Sequence, residues 1–191
     1  DPFHNATAYG PDWRSNMDFY TVIADLAETR PDCAFVIRGK DTVWIDLPIM
    51  ARIRERIDGM ENLSVDQEYD RVDRSYELAA MADLIIARHT SLCDQCLAAG
   101  IPVLIYDALP DGSRLISTCH DYAPYPVMVY DAEMLRRRFD EALDHGAFMP
   151  PAQFTEMRHD YYAAAPDEDN PATRIEKYLE GILQDTTSGA A

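Results

Sequence analysis

The stretch Leu84-Ile85-Ile86-Ala87-Arg88-His89-Thr90-Ser91, continuing through Leu92–Ala99 to Gly100-Ile101-Pro102-Val103-Leu104-Ile105-Tyr106, decides how the chain is read. Two short apolar runs flank a segment with helical spacing. Gly100 stops that segment, and Pro102 opens the next run. Runs of four to six apolar residues with no polar alternation suit strands covered on both faces. A helix between two such strands is the crossover that a parallel pair needs.

The same alternation extends both ways. Upstream, 15–29 shows helical spacing through Met17, Tyr20, Ile23, Ala24 and Ala27, and Pro31-Asp32 ends it. Cys33–Ile37 is the next apolar run, closed by Arg38-Gly39-Lys40-Asp41. A helix over 48–57, with Pro48 near its start and Gly59 after its end, precedes a weak strand at 63–65. Another helix runs over 75–82. Downstream, 127–130 reads as a strand, Asp131 as an N-cap for a helix over 132–144, and Gly146 as its stop. Further helices are expected over 151–163 and 171–184. The pattern predicts an α/β fold, a three-layer, Rossmann-like open parallel sheet with helices on both faces. A single domain over 1–191 fits the length, with flexible ends near 1–13 and 186–191. Because the chain starts at Asp1 without Met, a processed protein or an excised fragment is expected.

Composition narrows the function. The 191 residues carry 34 acidic and 17 basic side chains, a formal net charge of -17. A nucleic-acid binder needs a basic stripe, so nucleic acid is not an expected partner. No apolar stretch reaches the roughly 18 residues that span a bilayer, so no transmembrane segment is expected. Four cysteines in a chain of this length do not make a disulfide framework. No His/Cys/Asp set has metal-ligand spacing, and no metal is expected.

In an open parallel sheet, ligands bind beyond the carboxyl ends of the strands. That rule selects the loops 38–41, 87–91 and 106–113. In 87–91, Thr90 and Ser91 open a helix whose free N–H groups and dipole suit a phosphate, with Arg88 and His89 beside them. The competing reading of Thr90 and Ser91 is a plain N-cap. Arg38 and Lys40 flank Gly39 at the same edge and suit a diphosphate, or else a surface ion pair, for instance with Asp41. Glu77 could reach a ribose hydroxyl or be a solvated carboxylate. His120 and Asp121 lie between elements, where a loop His is a donor, a base or simply exposed. Cys93-Asp94-Gln95-Cys96 has the spacing of a thiol redox pair at a helix start. The first Cys lies inside the helix, however, no aromatic precedes it, and Ser91 occupies the loop exit, so two small apolar side chains packed on the sheet are the favoured reading.

The segments Tyr76–Ile86, His89-Thr90-Ser91 and Cys96–Asp107 together resemble the donor-site signature of GT-B glycosyltransferases: a helix ending in Ala-Asp, a strand, a Ser/Thr loop, then a helix ending in Gly-x-Pro-Val. The stretch from Phe19-Tyr20 to Phe35–Lys40 is similar to the opening of that half in capsule, teichoic-acid and surface-polysaccharide transferases. The resemblance covers roughly 17–145, and sugar-nucleotide epimerases of the same fold share the pattern. It implies one half of a GT-B fold that binds a nucleotide-sugar donor for cell-surface glycan synthesis, in the cytoplasm or at the inner face of the membrane. It implies phosphate contacts at Thr90 and Ser91 and anion contacts at Arg38 and Lys40. The acceptor half, which brings the catalytic base in that family, is not in this sequence, so a separate acceptor domain or subunit is implied as partner. The chain alone is then expected to show little or no turnover. Where the family carries an acidic residue five before the Gly, this chain has Gln95, with Asp94 beside it as a substitute. That departure leaves open a non-catalytic binding module of the same fold.

Overall fold

The computed structural model describes residues 13–39, 43–68, 70–71, 73–88, 90–108, 120 and 122–162. In chain order these hold α1 (Trp13–Thr29), β1 (Phe35–Ile37), two 3-10 turns (Val43–Asp46 and Pro48–Met50), α2 (Ala51–Asp58), β2 (Leu63–Val65), α3 (Arg74–Met81), β3 (Ile85–Ala87), α4 (Ser91–Ala99), β4 (Val103–Tyr106), β5 (Met128–Val129), α5 (Ala132–His145) and α6 (Pro151–Tyr162). The fold is α/β, with parallel strands in open sheets, and is compatible with a Rossmann-like arrangement.

Every strand pairing among the described residues is parallel. β1 and β2 form one ladder, in the register Phe35↔Leu63 to Ile37↔Val65. β3, β4 and β5 form a second, with Ile85↔Val103 and Ile105↔Met128. β4 lies in the middle of its sheet, and all four of its residues are buried. This is what an uninterrupted apolar run between Pro102 and Asp107 predicts.

The helix expected over 48–57 divides into the Pro48–Met50 turn and α2, and α1 begins two residues earlier than the spacing suggested. Pro48 lacks an N–H and has a fixed φ, which suits a tight first turn. The expected helix over 171–184 and both expected flexible ends lie outside the described residues, apart from Trp13 at the start of α1.

Particular side chains join the helices. Asp25 of α1 accepts from Arg56 of α2 at 2.8 Å and from Arg136 of α5 at 2.7 Å. Phe35 of β1 stacks on Phe139 of α5 with ring centroids 5.5 Å apart. Phe19 of α1 meets Tyr106 of β4 at 5.5 Å. Asn62, just before β2, donates its amide to the carbonyls of Ala27, Arg30 and Cys33. It thereby ties the end of α1 and the turn after it to the start of β2. On α4, Ala98 O accepts from Nε and Nη2 of Arg158 on α6, at 3.1 and 2.8 Å.

Candidate functional site at the start of the helix after the third strand

β3 delivers the chain to α4 through Arg88, His89 and Thr90. Thr90 is the N-cap: its backbone is extended, and its hydroxyl accepts from Leu92 N at 3.4 Å. Cys93 N donates to Thr90 O at 3.0 Å. Thr90, Ser91 and Gln95 are exposed. The cap distance is long for a hydrogen bond of this kind. Asp131, the N-cap of α5, holds Met134 N at 2.6 Å.

Arg88 is half-buried where β3 ends. Burial pushes the Tyr20 phenol up to about 12, and the nearby Arg88 charge opposes that rise. Tyr106 is raised for the same first reason, and Arg88 opposes it too. The Arg88 charge therefore acts on both phenols. One strand over, Asp107 follows β4 with 2% of its surface exposed, and its N–H donates to Val129 O at 2.7 Å. A carboxylate buried at the carboxyl edge of the sheet belongs among the candidates. Its signal in the sequence is an acid directly after an apolar strand, Val103–Tyr106.

Asp94, in the first turn of α4, is not turned to solvent. Its Oδ1 accepts from Tyr122 Oη at 2.5 Å and from Tyr162 Oη at 3.2 Å, and the two phenol oxygens touch each other. Burial and then the bond to Asp94 raise the Tyr122 phenol far above its ordinary range, so it stays a proton donor. Burial raises Tyr162 as well. His120 stacks on Tyr161 at 5.0 Å and meets Tyr162 edge-on at 5.0 Å. The half-buried His120 is thus part of an aromatic cluster. Neither tyrosine is marked by local spacing, since 28 and 68 residues separate them from Asp94.

Arg38 and Glu77 belong to a different group. The Arg38 guanidinium donates to the Asp66 carboxylate, to Ser75 Oγ at 2.9 Å, to Glu68 O at 2.9 Å and to Arg71 O at 3.0 Å. Asp66 also accepts from Arg74 at 3.2 Å. Arg74 reaches Glu77 at 3.1 Å, and Arg71 binds Glu68, Asp73 and Glu77. The partner of Arg38 is therefore Asp66, and its donors hold Asp66, Glu68, Arg71 and Ser75 against the end of β1. Lys40, His89, Asp41 and Asp121 lie outside the described residues.

Cys93 and Cys96 face the interior at 3% exposure each. Burial pushes the Cys93 thiol up to about 12, the opposite of what a redox-active thiolate requires. Two surface concavities, of about 500 Å³ along α2 and β2 and about 430 Å³ between α5 and α6, are lined by none of the expected site residues. Among the described residues, no group of three or more His, Cys, Asp or Glu could hold a metal ion, and no helix is long and apolar enough to cross a membrane.

No protein-family model, curated protein or solved structure matches the chain.

Proposed function

We propose that this domain binds the nucleotide diphosphate of a nucleotide-sugar, as the donor half of a GT-B glycosyltransferase that builds a cell-surface glycan in the cytoplasm or at the inner face of the membrane. The observation that carries the reading is the loosely held start of α4, where an exposed Thr90 caps at 3.4 Å beside an exposed Ser91. N–H groups so weakly engaged by their own cap remain good donors for a phosphate oxygen. The helix lies at the carboxyl end of a parallel strand, where ligands of such sheets bind. In this reading the sheet is the middle of three layers.

Donors at the start of α4, the Thr90 and Ser91 hydroxyls and the Arg88 charge would stabilise the leaving nucleoside diphosphate, with no metal required. Lys40 and His89 would add to that charge. Arg38 would position the adjacent loop, because its nitrogens are engaged internally. The catalytic base would come from a separate acceptor domain, so the chain alone would bind donor weakly and transfer little or nothing.

Calorimetric titration of UDP, CDP, GDP and CMP tests this. Saturable binding by one of them, lost in Ser91→Ala and in Arg88→Ala and kept in Glu141→Gln, is the expected result. The second reading, a non-catalytic interaction module, is favoured by Gln95 standing where the related signature has an acid. Absence of binding by all four nucleotides would support that module and overturn the donor-site reading.

A further inference from the structure

We propose that the outer edge of β2 is a docking site for an extended segment of a partner protein, one that alternates apolar and basic residues and adds to the sheet as a further strand. Among the described residues, β2 pairs with β1 alone. Phe35 N donates to Asn62 O at 2.7 Å, and Asp66 N donates to Ile37 O at 2.9 Å. Asn62 and Asp66, with Ser64 between them, therefore face β1, and the backbone groups of Leu63 and Val65 turn outward. Val65 O accepts from the exposed Gln67 amide at 3.3 Å. Among the described residues no side chain guards the Leu63 N–H and C=O or the Val65 N–H in the same way. Edge strands are usually blunted by a charge, a proline or a bulge. Leu63-Ser64-Val65 has no charge and no proline, and its register with β1 is unbroken.

Beside this edge lies the groove of about 500 Å³ along α2 and β2. Ile45, Ile57 and Met60 give it an apolar wall, against which every second side chain of an added strand would pack. Its charged lining is Asp46, Arg54 and Asp58. Arg54 serves both carboxylates, at 2.6 Å to Asp46 and 3.7 Å to Asp58, so one cation leaves the rim net negative. That polarity favours basic residues in the partner. It also counts against a second copy of this chain, whose formal net charge of -17 would be repelled.

The probe is a short synthetic peptide alternating lysine and valine, titrated at about 0.15 M ionic strength to screen non-specific attraction. Amide hydrogen exchange is followed residue by residue by NMR. In the free chain the Leu63 and Val65 amides are expected to exchange fast and the Ser64 amide slowly. Saturating peptide is expected to slow Leu63 and Val65 about tenfold or more. The same peptide N-methylated along its backbone keeps its charge but cannot donate to the edge, and is expected to bind about tenfold more weakly. Val65→Pro removes an outward N–H and leaves the ladder to β1 intact, so it is expected to weaken the unmethylated peptide similarly. Should Val65→Pro fail to fold, the methylated peptide carries the test. Asp58→Lys is expected to weaken the lysine–valine peptide and to strengthen a glutamate–valine counterpart. Equal binding of methylated and unmethylated peptides, protection confined to residues outside β2, or no saturable binding would overturn the inference. Slow exchange at Leu63 and Val65 in the free monomer would overturn it too, since the chain itself would then cover the edge. Sedimentation showing a dimer with those two amides protected would assign the edge to a second copy and overturn the partner-strand reading.

Discussion

Arg38 at the end of β1 and Asp66 just past β2 form an ion pair whose side chains are 15% and 6% exposed, and Arg74 closes it from α3. One carboxylate thus ties two strand ends and a helix together. Burial alone would push the Asp66 carboxyl up, but hydrogen bonds from Arg74 and Arg38 outweigh it and hold the group below the usual carboxylate range.

Asp66→Asn is therefore expected to lower unfolding free energy by about 3 kcal/mol, because it leaves a poorly hydrated Arg38 without its counter-charge. Urea unfolding at neutral pH measures this. The pH dependence has a definite sign. A folded pKa below the unfolded one gives stability that is full above about pH 4 and is lost as pH falls through the folded value. Wild type should show this loss below about pH 4, and Asp66→Asn should lack that part of it. Parallel acid curves for the two proteins would contradict the assignment.

The two extended N-caps are expected to differ in strength. Asp131 holds its amide at 2.6 Å and Thr90 at 3.4 Å. Asp131→Ala should cost about 1 kcal/mol of stability and Thr90→Ala about 0.5 kcal/mol, the lower end of the capping range. Thermal melts rank them, and a larger loss at Thr90 would show that its hydroxyl is chiefly a structural cap.

Gly100 and Gly146 both end helices with positive φ, 87° and 72°. A Cβ on Gly100 would come within 3.3 Å of the Arg158 guanidinium, whereas one on Gly146 meets nothing within 4 Å. Gly146→Ala should cost about 1 kcal/mol, the left-handed penalty alone. Gly100→Ala should cost more, since Arg158 must also give way while keeping its bonds to Ala98 O. Equal destabilisation in urea would mean that Arg158 yields freely.

Cys93 and Cys96 should resist a thiol-exchange reagent at about pH 8 in the folded protein and react once denatured, because burial keeps both thiols protonated. Mass spectrometry locates the modified positions. Rapid labelling of either, or a disulfide between them in the folded state, would restore the redox interpretation of this pair.

Much of the fold was legible along the chain. Apolar runs ending at Ile37, Ala87 and Tyr106, a stop at Gly100 and a cap at Asp131 are local signals, set by backbone sterics and side-chain hydrogen bonding within a few residues. They placed the strands and the start of α4. The small terminal shifts arose where Pro48 and Trp13 sit at helix starts, since end turns depend on neighbours that periodicity does not register.

Thr90, Ser91 and Arg88 could be picked from sequence because a strand, a short loop and a helix start are consecutive. Which carboxylate faces Arg38, and what holds Asp94, depended on residues tens of positions away. Asp66, Tyr122 and Tyr162 reach those groups only when the strands and α6 pack. Chain order by itself determined the alternation of elements and the parallel pairing, because helical crossovers leave little other choice. Only the tertiary structure decided that Arg38 is held by Asp66 and that Asp94 meets Tyr122 and Tyr162, because ion pairing and hydrogen bonding follow from three-dimensional neighbours and not from spacing.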